Sequence, residues 1–102
     1  MVHAGLGIGG GSTIDAQDYP RGNAKDYDAW AEDHGWEGWS FREVLPDFKR
    51  AEGNERFVDD CHSGDGPSGV SMLRGVLTIC SASIRAAQEW GMPYNPDLNG
   101  RV

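Results

Sequence analysis

The sequence predicts an α+β chain that is mainly helical, with one glycine-rich loop and one short strand. Three observations carry that reading. Residues 24–34, 41–50 and 76–90 hold apolar side chains at helical spacing behind recognisable caps. The opening Gly5-Leu6-Gly7-Ile8-Gly9-Gly10-Gly11 runs into Ser12-Thr13, with glycines dense enough to let a backbone approach a ligand closely. One extended run, Val70-Ser71-Met72-Leu73, follows the turn residues Gly66-Pro67-Ser68-Gly69.

The loop comes first. The spacing G-x-G-x-x-G fits Gly5, Gly7 and Gly10, but only Met1, Val2, His3 and Ala4 stand in front of it. That leaves no room for the strand that gives this pattern its dinucleotide meaning. No Gly-Lys-Ser/Thr follows, which excludes a Walker loop. Two readings stay open at this point: an anion-cradling turn, or a glycine-rich leader with no ligand. Ser12 or Thr13 is placed to cap a helical turn from Ile14 to Gln17, which Pro20 stops.

Asn23 is expected to cap a helix over 24–34, with Asp26 in its first turn and Gly35 ending it. Tyr27, Trp30 and His34 make one aromatic stripe on that helix, read as a packing face. After a turn through Gly35-Trp36-Glu37-Gly38-Trp39, Ser40 and Glu43 have the spacing of a capping box. Phe41, Val44, Leu45 and Phe48 then share a face, while Arg42, Glu43, Asp47, Lys49 and Arg50 point to water. Pro46 lies inside this pattern, so a kink or a fresh start is expected there. Residues 51–69 lose periodicity and read as one long loop. With a single strand at 70–73, its pairing partners are expected outside this chain. The last helix, over 76–90, ends at Gly91, and Pro93 to Gly100 is turn chemistry.

Composition narrows the function classes. The 102 residues allow at most one small domain, and Leu, Ile, Val and Phe together make only 18 of them. With a net charge of -7 and a mean hydropathy of -0.56, the core is expected to be small and incomplete. The isoelectric point near 4.7 argues against nucleic acid, whose binders need a basic footprint. No apolar run has the length of a membrane span or a signal-peptide core, which suggests a cytoplasmic or unassigned location. Cys61 and Cys80 form no CxxC pattern and read as unpaired thiols, with a single disulfide between them as the alternative, and with His34 and His62 they match no standard metal-ligand spacing.

Taken together, dispersed motifs in order carry more than any one of them. These are Gly9-Gly10-Gly11-Ser12-Thr13-Ile14, Tyr19, Arg21-Gly22-Asn23, Asp26-Tyr27-Asp28-Ala29-Trp30 and Gly38-Trp39-Ser40. Val44-Leu45-Pro46-Asp47-Phe48-Lys49-Arg50, Gly66-Pro67, Ala86-Ala87-Gln88-Glu89, Gly91 and Asp97-Leu98-Asn99-Gly100 follow. In this order they resemble the amino-terminal region of the glucose-methanol-choline (GMC) oxidoreductases, flavoenzymes that oxidise alcohols with FAD. The resemblance runs from Gly5 onward. It implies a parent fold with an α/β FAD-binding domain and an antiparallel-sheet substrate domain. Residues 1–22 would be the flavin-contacting loop, 23–65 a helical bridge and loop, and 66–102 the start of the substrate domain. The positions it carries over to the flavin and pyrophosphate are Ile8, Gly9, Gly10, Gly11 and Ser12, then Asp15, Ala16, Gln17 and Asp18. Arg21 resembles the family's motif arginine, read as an ion-pair or backbone clamp and not as a catalytic group.

The departures from the family pattern are also specific. The family usually has Asn or His where Asp15 stands, an apolar residue at Asp18 and a basic one near Leu6. The family's GxGxxG βαβ unit and its catalytic His have no counterpart here, since none of His3, His34 and His62 occupies the place of that base. The resemblance thus implies a choline or alcohol dehydrogenase-like oxidoreductase acting on CH-OH groups, with FAD and an alcohol as partners in the complete enzyme. Alone, the chain is expected to be inactive and marginally stable. The alternative is a degenerate remnant or acidic interaction module that binds no flavin.

Overall fold

A computed structural model describes residues 4–101; His3 lies outside them. A 3-10 turn at Gly10–Thr13 precedes α1 (Ala24–His34), α2 (Phe41–Ala51), β1 (Glu52–Asn54), β2 (Ser68–Val70) and α3 (Thr78–Glu89). The fold is mostly helical, with a short two-stranded sheet and a glycine-containing loop.

Both caps of α1 follow from its sequence. Asn23 Oδ1 accepts from the Lys25 N–H at 3.0 Å, and Gly35 closes the helix at φ 68°. The capping box of α2 is formed, with Glu43 Oε2 taking the Ser40 N–H at 3.1 Å and the Ser40 hydroxyl at 2.5 Å. Asp28 Oδ1 accepts from the Phe41 N–H at 3.0 Å and ties the start of α2 to α1. Between the two helices an aromatic cluster forms around Tyr27, whose ring lies 5.0 Å from Trp30 and 5.9 Å from both Phe41 and Phe48. The stripe on α1 is therefore a packing face.

The structure corrects several expectations. The first turn begins at Gly10, not Ile14, because Gly9 in the left-handed region caps it; Ser12 and Thr13 lie inside the turn. Residues 15–17 form an Asx turn instead, with Asp15 Oδ1 accepting from the Gln17 N–H at 3.1 Å. Pro46 neither breaks nor restarts α2: it sits on the exposed face, where the carbonyl of Arg42 that it leaves without an N–H can bind water. Lys49, assigned to solvent, is half-buried because its Nζ reaches the carbonyls of Asp59 and Asp60 at 2.9 and 3.2 Å.

The strand is the largest correction. Its partner lies within the chain: β1 pairs with β2 in parallel, with Glu52 opposite Ser68 and Asn54 opposite Val70. The extended backbone is thus 68–70 and not 70–73, and residues 51–69 are not all loop. Glycine makes this contact possible, since a Cβ on Gly53 would stand 2.5 Å from the Gly66 carbonyl.

Where the core sits is unusual. Among the described residues no hydrophobic side chain is buried, and the buried residues are Arg21, Glu52 and His62. The radius of gyration is 16.7 Å, against about 13 Å for a compact chain of this length. The residues of α3 are exposed apart from half-buried Ala87, Ile79 and Ile84 among them, as is Trp90 just after it. No helix among the described residues is long and apolar enough to cross a membrane.

Candidate functional site

The glycine loop folds back on itself. Gly10, Ser12 and Ile14 donate their N–H groups to the carbonyls of Gly7, Gly9 and Gly11 at 3.1, 3.1 and 3.0 Å. Gly5 closes the base of the loop so tightly that a Cβ there would stand 1.8 Å from the Gly10 carbonyl oxygen. The outer side is open by contrast at Gly7 and Gly11, where a Cβ would meet nothing within 4 Å among the described residues. Ile8 projects from this side, 103% exposed.

These positions fall in three places. Ile8, Gly9, Gly10, Gly11 and Ser12 lie together on the loop and its 3-10 turn. Asp15, Ala16 and Gln17 occupy the exposed Asx turn that follows, where Gln17 takes a φ of 60°. Asp18 is separate, at the rim of a cavity of about 380 Å³ shared with Tyr19, Phe57, His62, Met72 and Asn99.

A polar centre is built from residues distant in sequence. Arg21 Nη2 pairs with Glu52 Oε2, both side chains buried. Glu52 Oε1 accepts from Asn54 Nδ2 at 2.9 Å, and the Arg21 carbonyl accepts from the Tyr27 hydroxyl at 2.5 Å. Arg21 is therefore an ion-pair residue, and its own backbone carbonyl is held by Tyr27. Asn99 grips the same segment, accepting from the Arg21 N–H at 3.0 Å and donating to the Tyr19 carbonyl at 2.7 Å. His62 lies between two carboxylates, with Nδ1 3.0 Å from Asp59 Oδ1 and Nε2 3.5 Å from Asp97 Oδ1. The N–H of Cys61, then the His62 side chain, hold the Asp59 carboxyl below its usual range. Sequence reasoning singled out neither Glu52 nor Asn99 as part of such a centre. Asn99 does stand in the Asp-Leu-Asn-Gly motif, which was the available signal.

The residues fit a flat cofactor at the loop in one respect and oppose it in another. Beside Gly7 and Gly11 an added Cβ would meet no atom of the described residues within 4 Å, which leaves room for a flat group there. Between residues 4 and 20, however, the charged side chains are Asp15 and Asp18, so any attraction for a pyrophosphate must come from backbone N–H groups.

Comparison with known proteins places the chain. A family model described as GMC oxidoreductase matches residues 1–101. The chain is 44% identical over 97 residues to an oxygen-dependent choline dehydrogenase of Paraburkholderia phymatum, covering 94% of this chain and 17% of that protein. Oxygen-dependent choline dehydrogenase 1 of Chromohalobacter salexigens is 45% identical, and the oxygen-dependent choline dehydrogenase of Escherichia coli K12 is 42% identical, with the same coverage. The chain thus spans about a sixth of the length of these curated relatives.

Proposed function

This chain belongs to the GMC oxidoreductase family, and from that premise we propose that it supplies the flavin-facing loop of an FAD-dependent oxidoreductase of alcohols, of the choline dehydrogenase kind. The observation that carries the reading is the open space beside Gly7 and Gly11 among the described residues. In this reading Ile8, Gly9, Gly10, Gly11 and Ser12 lie along the cofactor, with Asp15, Ala16, Gln17 and Asp18 on the turn beside it. Residues 1–22 are the flavin-facing loop, 23–65 the helical bridge and 66–102 the start of the substrate domain. FAD, when bound, supplies the acceptor for the hydride that leaves the carbinol carbon. The chain's own contribution is to present a backbone surface and to fix it against the strand pair.

Alcohol oxidation also needs a base within hydrogen-bond reach of the hydroxyl proton. Among the described residues His34 stacks on Trp36 with centroids 5.2 Å apart, and His62 is 2% exposed between Asp59 and Asp97. His62 is held in the polar centre, and His34 is exposed at the end of α1.

A second reading has its own observation. Asp15 and Asp18 stand on a segment without a cation, and a carboxylate beside reduced flavin is repulsive. In that reading the chain is a remnant that binds no flavin. Titration of the purified chain with FAD, followed by flavin fluorescence and circular dichroism, separates the two. Saturable binding is expected; its absence at high micromolar FAD sinks the first reading.

A further inference from the structure

The polar centre joins segments far apart in sequence, and Asn99 ties the turn near the end of the chain to the one that carries Arg21. The Asn99 amide works in both directions, accepting from the Arg21 N–H and donating to the Tyr19 carbonyl. The backbone from Tyr19 to Arg21 is therefore held as a neighbouring strand would hold it, with both orientation and register specified. Asn99 is itself held, because its N–H donates to Asp97 Oδ1 at 3.0 Å, the oxygen that faces His62 Nε2. Only an amide side chain offers a donor and an acceptor at these two places; Asp lacks the donor and Leu lacks both. The segment gripped is the exit of the loop, immediately after Asp15 to Asp18.

We propose that Asn99 is the positioning residue of the flavin-facing segment, setting through Tyr19 and Arg21 where Asp15 to Asp18 stand relative to the strand pair. The functional half rests on the flavin reading above, whereas the mechanical half stands without it.

Amide relaxation by NMR on the full chain tests the mechanical half, comparing wild type with Asn99→Leu and Asn99→Asp. In the Leu variant the order parameters of Asp18, Tyr19 and Arg21 are expected to fall from about 0.85 to below about 0.6, while those of α1 and α2 stay unchanged. The Asp variant keeps the acceptor for Arg21, so Tyr19 loosens more than Arg21. Unchanged values at all three residues in a folded variant overturn the proposal, and the Asp variant carries the comparison should the Leu variant not fold. FAD titration of the same proteins tests the functional half, with affinity expected to fall at least tenfold in the Leu variant. A loosened segment with wild-type FAD affinity overturns that half. Should wild type bind no FAD, the flavin reading fails, and relaxation alone decides the role of Asn99.

Discussion

Arg21 and Glu52 stand 31 residues apart and bury their opposite charges against each other, one 5% and the other 0% exposed. Arg21 Nε and Nη1 are buried as well and have no hydrogen-bond partner among the described residues. Removing one partner leaves an uncompensated buried charge, at a cost of about 3–5 kcal/mol. Arg21→Met or Glu52→Leu alone should therefore abolish the cooperative urea transition followed by circular dichroism. The double variant should retain more structure than either, because no charge is then stranded.

Two glycines of the loop should respond oppositely to the same substitution. Gly5→Ala puts a methyl group 1.8 Å from the Gly10 carbonyl oxygen and should open the loop, seen as amide shift changes through Ser12. Gly11 has no neighbour within 4 Å of an added Cβ and no left-handed φ, so Gly11→Ala should leave the fold intact. If flavin lies on the open face, Gly11→Ala weakens FAD binding without altering the circular dichroism spectrum.

Asn23 bonds the N–H of Lys25 at the start of α1. Asn23→Ala should cost about 1 kcal/mol and Asn23→Gly only a few tenths. Urea midpoints give that order.

The pH dependence has a definite sign. Hydrogen bonds from the Cys61 N–H and the His62 ring hold Asp59 below 3.8, and those from the Ser40 hydroxyl and N–H hold Glu43 below 4.5. A carboxyl depressed in the folded state contributes stability above its unfolded pKa and loses it as pH falls through the folded value. Stability should therefore be level above about pH 5 and decline below pH 4. Asp59→Asn should flatten the decline, in urea titrations taken at several pH values.

Helix α3 rests almost wholly on its own hydrogen bonds. Its end is well made, with the Met92 and Gly91 N–H groups bonded to the carbonyls of Ala87 and Gln88 at 3.0 Å each. An isolated helix of 12 residues is nonetheless marginal in water. Its amides should exchange with solvent at least tenfold faster than those of α2, measured by hydrogen exchange.

Legibility in the sequence followed the range of the interaction. Asn23, Gly35 and the Ser40–Glu43 pair act within five residues, so both ends of α1 and the start of α2 were readable. Glu52-Gly53-Asn54 has no strand propensity; it is extended because Arg21 holds Glu52 and two glycines let the loop close in. No window of sequence contains that cause. The glycine loop was visible as composition, but its turn was misplaced because Gly9, and not a hydroxyl side chain, caps it. The clasp of Asn99 on Tyr19, 80 residues away, left no mark beyond a turn motif.

The buried centre of charged and amide groups also bears on calorimetry. The heat-capacity increase on unfolding comes from exposing apolar surface, whereas polar exposure lowers it; an ordinary domain of this length gives about 1.2–1.5 kcal/mol/K. A chain whose buried residues, among those described, are Arg21, Glu52 and His62 should fall well below that. Its stability should then vary little with temperature, and its melting transition should be broad and shallow.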